Sequence, residues 1–268
     1  MSDTIIWICG ATEGIGLELA RQAPFPGARI INISRRQHPD YETVLLDTSD
    51  PTTWPGLRSH FEKELAAFKG KRAIFFNSGY QREAIGLIGT YDSDMYWKGA
   101  IANAAAPMAL GEAFVRNVKP GYESGLVMTS SGAAVALLEG MSSYCAARGA
   151  VEHWAQIVAR ERQMLGLGPW VVAIRPGGVE TGGSRHGAAL DPKRYPRADA
   201  VKRNLGNRLQ PEAAAKHIWA QLPPPPGISV ISFAPAPTDP ARLFDDPAVI
   251  KNVEVEGWKL VYEPAKPA

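Results

Sequence analysis

Tyr144 and Arg148 stand four residues apart in the stretch 142–165, whose pattern predicts a helix. Side chains at that spacing leave one face of a helix toward the same volume. A phenol held beside a fixed cation can exchange its proton with a carbonyl or alcohol oxygen. Ser131, just after a predicted strand, offers a hydroxyl to steady that oxygen. Taken alone, such a Tyr/Arg pair is more often surface packing, so its place in the fold has to decide.

A second group of residues could hold a phosphate. Cys9-Gly10-Ala11-Thr12-Glu13-Gly14-Ile15-Gly16 joins an apolar, strand-like run to an amphipathic, helix-like one. A strand that ends in glycines and opens into a helix brings its backbone, the free N–H groups and the helix dipole to a pyrophosphate. Gly10, Thr12, Glu13, Gly14, Ile15 and Gly16 are the candidate contacts. Their spacing differs from G-x-G-x-x-G, and a purely structural turn would use the same residues. At the end of the second predicted strand the chain reads Ile33-Ser34-Arg35-Arg36. An acid there would bind the ribose hydroxyls of NAD, whereas Ser34 and the Arg35 guanidinium match the 2′-phosphate of NADP(H). The alternative is a solvated turn, and Glu13 nearby opposes a phosphate.

Short apolar runs alternate with longer amphipathic ones, the pattern of βαβ units and a parallel sheet covered on both faces. Strands are predicted at 4–9, 28–34, 43–46, 72–77, 125–130, 170–175 and 228–233. Helices are predicted at 14–22, 52–68, 93–117 with a kink at Pro107, 142–165 and 211–221. With 268 residues, 45% of them hydrophobic, the chain can bury one large α/β core. Residues 1–233 read as a dinucleotide-binding catalytic domain, and 234–268 as a Pro-rich C-terminal arm. Within the domain, 177–209 lacks periodicity and follows a strand, as a substrate lid would. Its basic residues, Arg185, Lys193, Arg194, Arg197, Lys202, Arg203 and Arg208, against Asp191 and Asp199, would either favour anionic substrates or simply be solvated.

A net charge of +2 from interspersed residues gives no electrostatic case for nucleic acid or a membrane surface. Cys9 and Cys145 form no disulfide framework or metal pattern, and Cys9 reads as structural. No run resembles a signal peptide or a membrane span, so a cytoplasmic protein acting on a small molecule is expected.

Taken together and in order, these motifs resemble the short-chain dehydrogenase/reductase family over about residues 4–233. Gly10, Gly14 and Gly16 match its cofactor loop, Asp47 its adenine-contacting acid, and Asn77-Ser78-Gly79 a variant of its Asn-Asn-Ala-Gly segment. Pro176-Gly177, followed by Val179 and Thr181, match its nicotinamide-side turn, while Asn103, Ser131 and Tyr144 match its catalytic asparagine, serine and tyrosine. The resemblance implies a Rossmann-type doubly wound sheet and hydride transfer between NADP(H) and a carbonyl or alcohol, without a metal. Tyr144 would supply the proton, Ser131 would hold the oxygen, and Asn103 would fix a water leading to solvent or merely pack a helix. It also implies a homodimer built on the helices carrying Asn103 and Tyr144, with the Pro-rich tail able to cover the last strand.

One departure matters most: the family's catalytic lysine is Arg148 here. Arginine keeps the charge and the reach to the nicotinamide ribose but does not release a proton. The expected function is an NADP-dependent carbonyl reductase or alcohol dehydrogenase. The alternative is a catalytically weak NADP(H)-binding regulatory or interaction protein.

Overall fold

The computed structural model describes residues 2–77, 85–235, 250–255 and 258–264. Strands β1 (Thr4–Cys9), β2 (Arg29–Ser34), β3 (Glu42–Leu45), β4 (Arg72–Asn77), β5 (Glu123–Thr129), β6 (Trp170–Arg175) and β7 (Ile228–Pro235) pair in the order β3-β2-β1-β4-β5-β6-β7, all parallel. The apolar runs are continuous because the central strands are buried on both faces. In β1, Ile5, Trp7 and Cys9 join one core with Phe61, Phe75 and Phe114, while Ile6 and Ile8 join the other with Leu19, Ile218 and Trp219.

The first core is covered by α2 (Trp54–Ala67), α4 (Ala106–Asn117) and α5 (Ser142–Leu165), the second by α1 (Gly14–Arg21) and α8 (Pro211–Trp219). Trp7 sits edge-on to Phe61 at 5.4 Å and to Phe114 at 5.9 Å, and donates its indole N–H to His60 Nε2 at 3.0 Å. This packing locks the first strand, whose carboxyl end carries the glycine loop.

The predicted helix 93–117 is divided. α3 (Ser93–Ala100) runs into a π-helical turn, Ile101–Ala105, before α4 begins. Pro107 has no N–H for the carbonyl four residues earlier, that of Asn103, and the helix widens at this place. In place of a kink at the proline, a π-helical turn stands just ahead of it, centred on a candidate catalytic residue.

The 177–209 segment contains two short helices, α6 (Gly182–Ala188) and α7 (Ala198–Arg203). Ile85, Tyr195 and Ala198, with Met141, Leu190 and Val201 beside them, form a small third core beneath it. Beyond the prolines the tail returns as β8 (Ile250–Val255) and β9 (Trp258–Pro264), with β9 antiparallel to β7 and β8 antiparallel to β9. The arm thus ends in two strands that cover the edge of the last parallel strand.

Candidate active site

β1 lies between β2 and β4, so chain direction across the sheet reverses there and a crevice opens beyond the strand ends. A cavity of about 640 Å³ occupies this place, lined by the glycine loop, the end of β2, Ser131, Tyr144 and the lid. Gly10 and Gly14 have φ of 81° and 61°, values that disfavour any side chain, and a Cβ on Gly16 would come within 2.3 Å of the Gly10 carbonyl oxygen. Glu13 at the start of α1 makes no side-chain cap. The N–H groups of that first turn are therefore left for an anion.

The loop is braced by a residue that the sequence reading did not single out. Asn32 is fully buried in β2; its Oδ1 accepts from the Ala11 N–H at 3.1 Å, and its Nδ2 donates to Ser34 Oγ and Thr43 Oγ1. A lone amide among Ile30, Ile31 and Ile33 was the available signal. Cys9 lies beneath the loop, and burial pushes its thiol up to about 12, which makes it inert at neutral pH.

At the end of β2, the Ser34 hydroxyl donates to the Arg36 carbonyl at 2.6 Å and accepts from the Arg36 N–H, shaping the turn. Arg36 donates to Thr12 Oγ1 at 3.2 Å and lies 3.9 Å from a Glu13 carboxylate oxygen. Arg35 remains exposed on the cavity wall, with no hydrogen bond or ion pair among the described residues. Arg36 thus offsets the acid that opposed a phosphate, and Arg35 keeps its fork.

Tyr144 and Arg148 share one face of α5 and both border the cavity. The guanidinium carbon of Arg148 lies over the Tyr144 ring, 5.0 Å from its centre. Only 2% exposed, Arg148 donates to the Thr129 carbonyl at 2.8 Å and to Asn103 Oδ1 at 3.3 Å. Asn103, fully buried in the π-helical turn, donates from Nδ2 to the Gly99 carbonyl at 2.9 Å. One cation therefore ties the tyrosine helix, the end of β5 and the asparagine turn together. Ser131 borders the cavity with its Oγ accepting from the Ala133 N–H at 3.2 Å.

After β6, Pro176, Gly177, Val179 and Thr181 all line the cavity. Thr181 and Ser184 form a reciprocal cap at the start of α6, and a Cβ on Gly14 would lie 3.9 Å from Thr181 Cγ2, so both loops border one space. Ala133 and Leu138 join the same wall. Asp47 does not line the cavity; its Oδ1 accepts from the Ser49 N–H at 2.9 Å and its hydroxyl at 2.7 Å. Asn77 is buried and donates to the Pro107 carbonyl at 2.7 Å, while Ser78, Gly79 and Tyr80 lie outside the described residues.

A buried polar group also joins the elements behind the site. Glu152 on α5 accepts from Ser130 Oγ at 2.7 Å and from Arg175 Nε at 2.8 Å. Ser130 and Arg175 immediately precede Ser131 and Pro176. The visible hint in the sequence was a charge closing the otherwise apolar run of β6.

Residues 4–188 match the family model for short chain dehydrogenases. The chain belongs to the short-chain dehydrogenase/reductase family. This short-chain dehydrogenase is 25% identical over 226 residues to a Bacillus cereus benzil reductase that forms (S)-benzoin, covering 79% of this chain and 90% of that protein. It is also 25% identical over 191 residues to the Bacillus subtilis oxidoreductase DltE, with coverages of 68% and 74%. Its fold matches a short-chain dehydrogenase/reductase from Saccharomyces cerevisiae with a TM-score of 0.71 at 17% identity, over 85% of this chain and 95% of the other. The family consists of oxidoreductases that bind nicotinamide cofactors. The side-chain-free glycine cradle and uncapped helix start suit a dinucleotide pyrophosphate. No described helix is long and apolar enough to cross a membrane.

Proposed function

We propose that this chain is an NADP(H)-dependent oxidoreductase of carbonyl and alcohol substrates, with Tyr144 as the general acid and base. The observation that carries the reading is that Tyr144 and Ser131 share one cavity with the glycine cradle and Arg35. The bound nicotinamide would supply or accept a hydride at the substrate carbon. In the reducing direction, Tyr144 gives its phenolic proton to the oxygen, which becomes a hydroxyl, and regains a proton from solvent. Ser131 positions that oxygen, and Asn103, held by Arg148, orders the proton path behind it. The B. cereus relative is named for reduction of a ketone, which agrees with this direction.

We place this activity in the cytoplasm, in agreement with two free cysteines. A screen of NADPH oxidation across ketones and aldehydes tests the reading. Turnover of none, with NADPH bound, would leave a cofactor-binding protein instead.

The cofactor preference follows from Arg35. A charge-assisted contact to the 2′-phosphate should favour NADPH over NADH by roughly ten- to hundredfold. Arg35→Asp should reverse that order in titrations of intrinsic fluorescence, whereas equal affinities in the unmodified protein would refute the assignment.

Arg148 has two jobs that a substitution can separate. Its charge and reach suffice to hold Thr129 and Asn103, but it cannot take part in a proton relay. Arg148→Lys should raise the single-turnover rate of the chemical step about ten- to a hundredfold, reaching the low end for acid–base catalysis, while losing one of the two buried bonds and lowering Tm. An unchanged or slower step in a folded variant would mean that the site has adapted around arginine.

We extend the reading to a homodimer through the Asn103-bearing helical stretch from α3 to α4 and the Tyr144 helix α5, which expose Trp97, Ile157 and Met164. Light scattering across working concentrations should give twice the chain mass; a monomer throughout would rule it out.

A further inference from the structure

Six of the lid's seven arginines and lysines fall into two groups. Arg185 pairs with Glu180 at 2.9 Å, Arg197 with Glu139 at 3.4 Å, and Arg194 Nε donates to the Ile85 carbonyl at 3.1 Å. Lys193, Lys202 and Arg203 are exposed. These need no ligand, because an exposed charge is satisfied by water.

Arg208 differs from all of them. It is half-buried on the cavity wall, and its Nε is shut off from solvent without a hydrogen-bond partner among the described residues. Glu180, the acid whose charge acts on Arg208, is already engaged: its Oε1 accepts from Arg185, and its Oε2 accepts from Gln210 at 3.2 Å. Burial pulls the Arg208 pKa below the ordinary arginine value, with Tyr195 and Glu180 only partly opposing it.

Nor is Arg208 loosely held. The next residue, Leu209, donates its N–H to the Gly178 carbonyl at 3.0 Å and accepts from the Glu180 N–H at 2.9 Å. This short bridge fastens the end of the lid to the loop after β6. The guanidinium lies along Gly178, where a Cβ would be 3.8 Å from its Nη1. A partly desolvated cation held in position beside the turn that follows Pro176 is costly unless an anion meets it.

We propose that Arg208 selects substrates bearing a carboxylate, so that this enzyme acts on keto acids and the corresponding hydroxy acids. The proposal rests on the carbonyl-reductase reading above and assigns the acid end of the substrate. The carboxylate engages Arg208 and is unchanged, while the carbonyl faces Tyr144 and Ser131 in the same cavity. The fork of an arginine suits the two oxygens of a carboxylate better than a neutral ester.

The test compares kcat/KM for 2-oxohexanoate and phenylglyoxylate with that for their methyl esters, in the unmodified protein, Arg208→Met and Arg203→Met. Comparing the acid-to-ester ratio between variants cancels the esters' different intrinsic reactivity. Arg208→Met should lower that ratio about ten- to hundredfold, and Arg203→Met should leave it unchanged. A ratio equal in all three proteins overturns the proposal. If Arg208→Met instead weakens NADPH binding with the ratio intact, the cation serves a cofactor phosphate and the proposal also fails. If no carbonyl is reduced, the carbonyl-reductase reading fails by itself. Calorimetric binding of phenylglyoxylate to the NADPH complex then decides: tenfold weaker binding in Arg208→Met sustains the anion site, and equal binding removes it.

Discussion

Tyr144→Phe is expected to lower kcat for carbonyl reduction by about a hundred- to ten-thousandfold, the usual contribution of a positioned general acid. The variant removes one oxygen and little else. The aromatic ring remains, so the Arg148 guanidinium stacked 5.0 Å from its centre keeps its support, as do the bonds from Arg148 to Thr129 and Asn103. Folding and NADPH affinity should therefore change little. KM should move much less than kcat, because the phenolic proton is used as the carbonyl oxygen gains charge rather than when the substrate first binds. Ser131→Ala is a useful companion, since it leaves the acid in place and takes away the positioning hydroxyl together with its bond from the Ala133 N–H. Single-turnover reduction measured across pH gives the decisive readout. If Tyr144→Phe retains within a few-fold of the original rate, proton transfer belongs to another group and the assignment of Tyr144 fails.

How far the sequence could be read varies with the kind of interaction involved. β1, β4 and β6 have the bounds expected of them because both faces are buried, which leaves unbroken apolar runs in the sequence. That the glycines and Ser131 would stand at strand ends, and Tyr144 and Arg148 on one helix face, was legible because these placements depend on local spacing. The two lid helices were not, since segments this short carry no apolar stripe and take their order from Tyr195 and the Thr181 cap. The proline start of the tail likewise concealed the β-forming stretches Val253-Glu254-Val255 and Leu260-Val261-Tyr262. The pairing of Tyr144 with Arg148 was visible, but the destination of the guanidinium was not. Thr129 and Asn103 reach it from other elements, and one of them does so through a π-helical turn. Glu152, Ser130 and Arg175 show the same limit, because their partnership exists only once α5 has packed across β5 and β6.

That partnership should make Glu152 among the most stability-sensitive positions in the protein. Its side chain is 7% exposed and that of Arg175 2%, so neither charge is solvated by bulk water. Glu152 accepts from both Ser130 Oγ and Arg175 Nε, and these bonds offset the cost of burying the ions. Removing one partner abolishes that compensation while the other charge stays in place. Glu152→Ala is therefore expected to lower the free energy of unfolding by about 3 to 5 kcal/mol, leaving Arg175 buried beside an unfilled space. Replacing both members, Glu152→Leu with Arg175→Met, should recover much of this loss, because two apolar side chains need no mutual neutralisation. The comparison pair is Arg29 with Glu42, about half exposed, where Glu42→Ala should cost no more than about 1 kcal/mol. Urea denaturation of the four proteins separates the cases. A Glu152→Ala midpoint no lower than that of Glu42→Ala, or a double variant no better than the single one, would show that the buried pair is not what holds α5 to the ends of β5 and β6. Because Ser130 and Arg175 lead directly into Ser131 and Pro176, the same loss should loosen both walls of the cavity. Glu152→Ala should then weaken NADPH binding even in buffer where the variant remains folded, whereas Glu42→Ala should not.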